Sequence, residues 1–380
     1  MERSISADIY NTLKSKLVLL SGPRQAGKTT LSRAISESFE YLNYDSIKDR
    51  KQIIDASWNR TREILILDEL HKMKKWKLWL KGIYDTEKNK KIIVTGSSKL
   101  DTLKKVGDSM AGRYFHYRLM PFCLKELKAN KHGNNKENLE NLLSLTGFPE
   151  PFLSNSTSFY KKWRRTHLDV IIRQDIFELE SVKRISDLEM LIELMTNKTG
   201  SVFSNNSLRE DLLTDDKSIK RWMLALENAY VFFKITPYSK NIKNSLKKAP
   251  KYYFFDYARL NEEARLENFV ALSLLKEIYF QNDVNGEDYS LHYLRDQHQK
   301  ELDFLICKDK KPEIMFEVKT SDDTPSKNFS YFEKHLIKEN KKIRKIQLVK
   351  NIGRNFSNKD GVLVTDLADW LAEMPLEITA

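Results

Sequence analysis

Cysteine is almost missing from these 380 residues. Cys123 and Cys307 are the only two and lie far apart in the chain, so neither a disulfide framework nor a thiolate metal site is suggested. No run of about 18 apolar residues occurs, and no membrane span or membrane partner is expected. The opening MERSISADIY lacks the apolar core of a secretory signal. A reduced cytoplasmic protein is the expectation from these absences. What is present describes a folded chain: hydrophobic residues make up 41% and charged residues 31%. The length suffices for two or three domains, each with its own core.

Negative charge is also in short supply. Lys and Arg number 65 against 53 Asp and Glu, a formal net charge of +12. The basic clusters KMKKWK, KKWRR, LKKAPK and KENKKIRK are spread along the chain. Such a field favours polyanions, of which nucleic acid is the commonest in a cytoplasm. The plain alternative is surface lysine that keeps the protein in solution.

The stretch KLVLLSGPRQAGKTTLSRAI reads as a strand, a loop, and a helix opening near Lys28. The loop fits G-x-x-x-x-G-K-[ST]. Gly22, Pro23, Arg24, Gln25, Ala26, Gly27, Lys28, Thr29 and Thr30 are therefore expected to bind ATP. Gly22 and Gly27 let backbone amides turn inward onto phosphates at a helix N-terminus. Lys28 places charge on the β- and γ-phosphates, and the Thr29 hydroxyl ligates Mg²⁺. A glycine turn with an incidental lysine is the bland alternative, and the flanking strand and helix argue against it.

EILILDE supplies a partner strand. Ile64 to Leu67 are wholly apolar, as in a strand buried on both faces of a parallel sheet. Asp68 emerges at its carboxyl end to hold Mg²⁺ through water, with Glu69 to polarise the attacking water. YLNYD, another strand, lies between these two in the sequence, and KIIVTGSS follows them. An extra strand between the phosphate-loop strand and the Asp-Glu strand suggests the P-loop subgroup with a catalytic glutamate. Ser97 or Ser98 then senses the γ-phosphate or the attacking water.

GPRQAGKTT, LILDELHKM, VTGSS and AGR…MPF in this order resemble the AAA-like P-loop ATPases of archaea and bacteria that carry a C-terminal domain of uncertain function. The resemblance covers nearly the whole chain. It implies an arginine finger at Arg113, ahead of the fifth strand, reaching the γ-phosphate of a neighbouring subunit in a homo-oligomer. A tight turn with a surface arginine is the alternative.

The fold expected is α/β, in four parts. Residues 1–125 form the ATPase domain with its parallel sheet, and 126–187 a helical lid or connector in which Arg164, Arg165 and Arg173 are candidates to sense nucleotide, a solvated or structural role being the alternative for most of them. Residues 188–256 form a winged helix of three helices and a hairpin. Its helix from Ser218 presents Lys217, Lys220 and Arg221 to phosphates or base edges, though winged helices also serve as plain protein contacts. Residues 257–380 form a second α/β domain.

That last domain contains ELDFLICKDKKPEIMFEVK. Strand parity places Glu301, Asp303, Leu305 and Cys307 on one face and Leu302, Phe304 and Ile306 on the other. In the next strand Glu313, Met315, Glu317 and Lys319 oppose Ile314, Phe316 and Val318. Packing the apolar sets together leaves Asp303, Glu317 and Lys319 converging on the outer face, with Glu267 added from the edge of a helix stripe. Two or three carboxylates and a lysine suit a second divalent metal, Mg²⁺ or Mn²⁺. The set resembles the PD-(D/E)xK nuclease superfamily, including its resolvase-like members, while the alternative is a buried ion bridge from Glu267 to Arg295 or Lys319. Three functions stay open: an ATPase acting on nucleic acid, a nucleotide-gated switch that recruits a protein partner through its C-terminal domains, and an ATP-regulated DNase.

Overall fold

Five short strands, three of them almost wholly apolar, build the first sheet, and their parity decides its two faces. The structure is a computed structural model and describes residues 1–96, 110–177, 185–203, 205–239, 249–336, 342–374 and 376. The strands β1 (Leu17–Ser21), β2 (Phe39–Asn43), β3 (Ile64–Asp68), β4 (Lys91–Thr95) and β5 (Tyr114–Arg118) pair in the order β2-β3-β4-β1-β5. Every pair is parallel. Leu17, Leu19, Leu65, Leu67, Ile92 and Val94 face one core. Val18, Leu20, Ile64, Ile66 and Ile93 face another. Burial on both faces explains the continuous apolar runs. The strand that stands between β1 and β3 is β4, from KIIVT; YLNYD forms the outer strand β2.

The chain then runs through helices Leu124–Ala129, Asn135–Leu145, Pro149–Ser154 and Thr157–Val170. Asn134 and Ser156 cap two of these by accepting from backbone amides three residues on. The long basic helix expected from YKKWRRTHLDVIIRQDIFEL is α-helical to Val170 and continues as a π-helix over Ile171–Phe177. Three helices follow, Ile185–Asn197, Asn205–Asp211 and Asp216–Asn228, and then a hairpin of β6 (Phe232–Pro237) and β7 (Lys251–Phe254). The basic loop 240–248 lies outside the described residues.

Helix Glu262–Val284 leads to β8 (Tyr289–Arg295), β9 (Glu301–Lys308), β10 (Lys311–Lys319), β11 (Arg344–Val349), β12 (Phe356–Ser357) and β13 (Val362–Asp366). They join the hairpin in one eight-stranded sheet of order β12-β13-β11-β10-β9-β8-β6-β7. The parallel pairing of Thr236 with His292 makes that junction, so hydrogen bonding runs across the boundary expected at residue 256.

Both faces of β9 and β10 are buried, which corrects the picture of a charged outer face. Phe304, Ile306, Ile314 and Phe316 join the large core that includes helix Glu262–Val284. Leu305, Cys307 and Met315 pack in a second core with Phe329 and Phe332 of helix Asn328–Leu336. Leu302 also belongs to that second core, not with Phe304 as simple alternation requires. The reason is a register shift: His292 pairs with Leu305, but Leu294 pairs with Leu302. One extra residue is thereby inserted in β9 around Asp303, as in a β-bulge.

Candidate nucleotide site and a buried acid cluster

The carboxyl ends of β1, β3 and β4 meet beside the loop from Gly22 to Thr29. Gly22 has φ 145°, and a Cβ there would come within 2.2 Å of the Leu119 carbonyl oxygen. Only glycine fits. Gly27, at φ 97°, ends the loop and starts helix Lys28–Ala34. The buried Lys28 ammonium donates to the carbonyls of Gly22 at 2.9 Å and Pro23 at 2.7 Å. Burial pushes its pKa down, opposed by Glu69 and Asp68.

Asp68 is the hub. Its carboxylate accepts from the hydroxyls of Thr29 at 3.0 Å, Tyr41 at 2.6 Å and Thr95 at 2.5 Å. Three other elements thus fix one carboxylate, and Tyr41 and Thr95 are members that sequence reasoning missed. Thr95 had a signal, since it sits level with Asp68 on the neighbouring strand; Tyr41 had none. A hydroxyl and a carboxylate oxygen held this way suit a hard cation carried in with a triphosphate.

Glu69 follows in a left-handed conformation, φ 55°, which is uncommon for a residue with a side chain and concentrates at functional sites. Its amide donates to the Thr95 carbonyl at 3.0 Å. Burial, then Asp68, pushes its carboxyl up to about 7, against Lys28 and Lys72. Oε2 lies 3.6 Å from His71 Nε2 and 4.0 Å from Lys72 Nζ, and it accepts no hydrogen bond among the described residues. Lys28, Thr29, Asp68 and Glu69 line a cleft of about 980 Å³.

The loop is braced from outside by residues that no motif marks. Arg24 binds Asp175 through two contacts of 3.2 Å and Gln174 at 3.0 Å. Gln25 bonds His167 at 2.7 Å. His167 stacks on Trp163 with centroids 4.3 Å apart. Burial pushes its pKa down to about 3, helped by Arg24 and Lys28, so it is neutral. His167, Gln174 and Asp175 are lid groups that hold the loop by hydrogen bonds; Arg173 pairs with Asp169 instead, and Arg164 lies over the Tyr160 ring. Arg3 donates to the Ala26 carbonyl at 2.9 Å and pairs with Glu126 at 3.1 Å.

Ser97 and Ser98 lie outside the described residues. Arg113 stands at the start of β5, level with the beginning of β1, and grips Asp85 at 3.0 and 3.3 Å. That is the end of the sheet opposite the phosphate loop. The structure does not bring Arg113 to its own chain's site.

Residues 14–128 match the family described as an AAA domain. This segment is similar to AAA domains. Beyond it, residues 136–269 and 262–370 match two families each described as a domain of unknown function, DUF8612 and DUF4143. Uncharacterized proteins align along most of the chain. One from Haemophilus influenzae is 25% identical over 93% of this chain and 94% of its own. One from Methanocaldococcus jannaschii is 22% identical over 87% and 81%, and one from Mycobacterium tuberculosis 23% over 82% and 72%. Among solved structures, the Aeropyrum pernix ORC1 protein in complex with DNA matches at 11% identity and TM-score 0.35, covering 73% of this chain and 95% of that one. The Bacillus subtilis DNA clamp loader delta protein matches at 13% and 0.28, covering 72% and 93%. Likeness at this level does not bear on ligand or activity.

Outside residues 14–128, helix Asp216–Asn228 buries Ile219, Trp222, Met223 and Leu226. It leaves Lys217, Lys220 and Arg221 exposed, with Lys220 paired to Asp216 at 2.6 Å.

The C-terminal acids do come together, around a cation that sequence reasoning missed. Lys251 of β7, 2% exposed, lies 3.3 Å from Glu267 and 2.5 Å from Glu301. Glu267 also accepts from Tyr253 at 2.7 Å, and Glu301 pairs with Arg295 at 3.3 Å. Asp303 accepts from the Val318 amide at 2.7 Å; burial, Glu267 and Glu317 push its pKa well up, against Lys251. Glu317 pairs with Lys319 at 2.8 Å, and burial raises its pKa too. Among the described residues no group of three His, Cys, Asp or Glu side chains is arranged to hold a metal ion. Lys251 thus pairs with Glu267 and Glu301 and Lys319 with Glu317, so three of these carboxylates already hold a cation partner. Lys251→Met is expected to cost about 3–5 kcal/mol, because two carboxylates lose a buried counter-ion. Urea denaturation measures this, and adding Glu267→Gln is expected to recover part of the loss. An unchanged midpoint would show that the lysine is incidental.

Proposed function

We propose that this chain binds ATP with Mg²⁺, hydrolyses it, and uses the cycle to act on nucleic acid. The observation that carries the hydrolytic part is the Asp68 carboxylate, fixed by Thr29, Tyr41 and Thr95 beside the half-buried Glu69. In this reading the amides of the Gly22–Thr29 loop cradle the phosphates, and Lys28 leaves its loop carbonyls to meet the β- and γ-phosphates. Incoming negative charge favours the ammonium form that burial disfavours. Thr29 and Asp68 would hold Mg²⁺, directly or through water, and the ion would supply charge neutralisation on the phosphate oxygens. Glu69, as a carboxylate, orients the attacking water and accepts its proton. The trans finger at Arg113 belongs to this proposal and requires an oligomer.

Lys28→Ala is expected to weaken ATP binding by about tenfold or more and to abolish turnover, since one charge-assisted phosphate contact is worth about 1.5–3 kcal/mol. Phosphate release and nucleotide binding measure the two effects. Normal turnover in this variant would remove the assignment.

The nucleic-acid part rests on the +12 charge and on the exposed Lys217, Lys220 and Arg221. ATP turnover measured with and without DNA over a salt series tests it, because phosphate contacts weaken steeply with salt. Stimulation that fades with salt supports it. Its absence at every salt concentration leaves the ATP-gated, protein-binding switch, a reading that needs no nucleic acid.

A further inference from the structure

A groove beside the nucleotide cleft has a wall that folding leaves in water. Ile54, at the end of helix Ile47–Ile54, lines it and is 56% exposed. Opposite stands Leu78 of helix Trp76–Thr86, 62% exposed. Between Ile54 and Leu78 runs a cavity of about 760 Å³. Its rim is basic: Arg50, Lys72, Lys74 and Lys75, against Asp45 alone, and Asp45 is bound to Lys72 at 2.6 Å. Lys74 and Lys75 are exposed and make no ion pair with any described residue. Lys75 also holds a left-handed backbone, φ 58°, where side chains other than those of glycine, asparagine and aspartate are uncommon.

We infer that this groove docks an acidic, amphipathic helix of a protein partner. Apolar residues on such a helix, at intervals of three and four, would cover Ile54 and Leu78, while its carboxylates meet Lys74, Lys75 and Arg50. Charge complementarity selects an acidic partner. The exposed aliphatic side chains select a protein over a bare polyanion, which would leave them in water. The cluster KMKKWK is thereby assigned to partner recognition.

The groove also adjoins the chemistry. Asp45 lines both the groove and the nucleotide cleft, and Lys72 reaches both Asp45 and, at 4.0 Å, Glu69. A partner carboxylate competing for Lys72 would loosen its hold on Glu69 and change the rate of hydrolysis. This link rests on the ATPase reading; the docking itself does not.

The test uses the full chain, without nucleotide, and a fluorescein-labelled helical peptide of alternating Leu and Glu stripes. Anisotropy is expected to show saturable, salt-sensitive binding that Leu78→Glu and, separately, Lys74→Glu with Lys75→Glu weaken by about tenfold or more. A scrambled peptide of equal composition is expected not to bind. Circular dichroism of the variants confirms folding, which these exposed positions do not endanger. No saturable binding, equal binding of the scrambled peptide, or full binding to Leu78→Glu would each overturn the proposal. So would a single-stranded oligonucleotide that displaces the peptide and binds Leu78→Glu as well as wild type, since that outcome makes the surface a nucleic-acid contact. The turnover link is read apart: a peptide that binds but leaves phosphate release unchanged removes the link and keeps the docking site.

Discussion

Glu69→Gln is expected to bring ATP turnover nearly to zero, leave ATP binding intact, and raise the melting temperature of the nucleotide-free protein at pH 8. Removal of a positioned general base costs about 10²–10⁴ in rate. Binding is spared because the phosphate contacts come from the loop and Lys28. The stability gain follows from burial. The Glu69 carboxyl is lifted from its ordinary 4.5 to about 7, so the fold favours the protonated form. A raised folded-state value means that its contribution to stability is complete below about pH 4.5 and is lost as pH rises towards 7. The loss reaches about 3 kcal/mol above that window, at 1.36 kcal/mol for each pH unit. Glutamine is never charged and escapes it. Melting temperatures of the two proteins are therefore expected to diverge between pH 4.5 and 7 and to stay apart above it. Glu69 needs its carboxylate to work, so wild-type kcat/KM is expected to rise with pH through about 7. Retained turnover in Glu69→Gln would reassign the base, and parallel melting curves would show that the carboxyl is not desolvated.

The same residues show what a sequence can reveal. The Gly22–Thr29 loop, Asp68 and Glu69 were legible because their chemistry is carried by fixed local spacing next to apolar runs. Tyr41, Thr95 and Asp175 were not, because each meets the site from a separate element, and only the order of strands or the path of the lid brings it there. Strand order itself misleads in the same way: β4 follows β3 in sequence yet slides between β1 and β3 in space. In the C-terminal sheet Glu267, Asp303, Glu317 and Lys319 lie close enough to act on one another's charge. Parity then failed at one inserted residue near Asp303, and Lys251, on a strand assigned to a different domain, entered the cluster as the partner of Glu267 and Glu301. A bulge and a long-range counter-ion leave no periodic trace.

Glu126→Gln is expected to cost about 3–5 kcal/mol of stability and, unlike an ordinary core change, to weaken ATP binding. Glu126, 4% exposed, is held between two cations from distant parts of the chain. Arg3 lies 3.1 Å away, and Lys276, on helix Glu262–Val284, forms the second pair and also donates to the Pro121 carbonyl at 2.7 Å. Burial, the largest influence on the Glu126 carboxyl, pushes it up. Arg3 and Lys276 more than reverse that and hold it at about 2. A value depressed in the fold contributes stability that is complete above the ordinary 4.5 and is lost as pH falls towards 2. The neutral variant is therefore expected to lose its deficit against wild type in acid. The functional half comes from Arg3, which also donates to the carbonyls of Ala26 and Met120. Holding Ala26 fixes the phosphate loop just ahead of Gly27 and Lys28, and Glu126 in turn fixes Arg3. Arg3→Ala is expected to weaken ATP binding as Glu126→Gln does, and Arg3→Lys to restore part of it. Lys276→Met is expected to lose stability with a smaller effect on ATP, since it reaches the loop only through Glu126. Equal ATP affinity in all four variants would reduce the cluster to a structural tie. A graded loss would make it the joint between the AAA domain and the C-terminal sheet, and place a working part of the nucleotide site at the third residue of the chain.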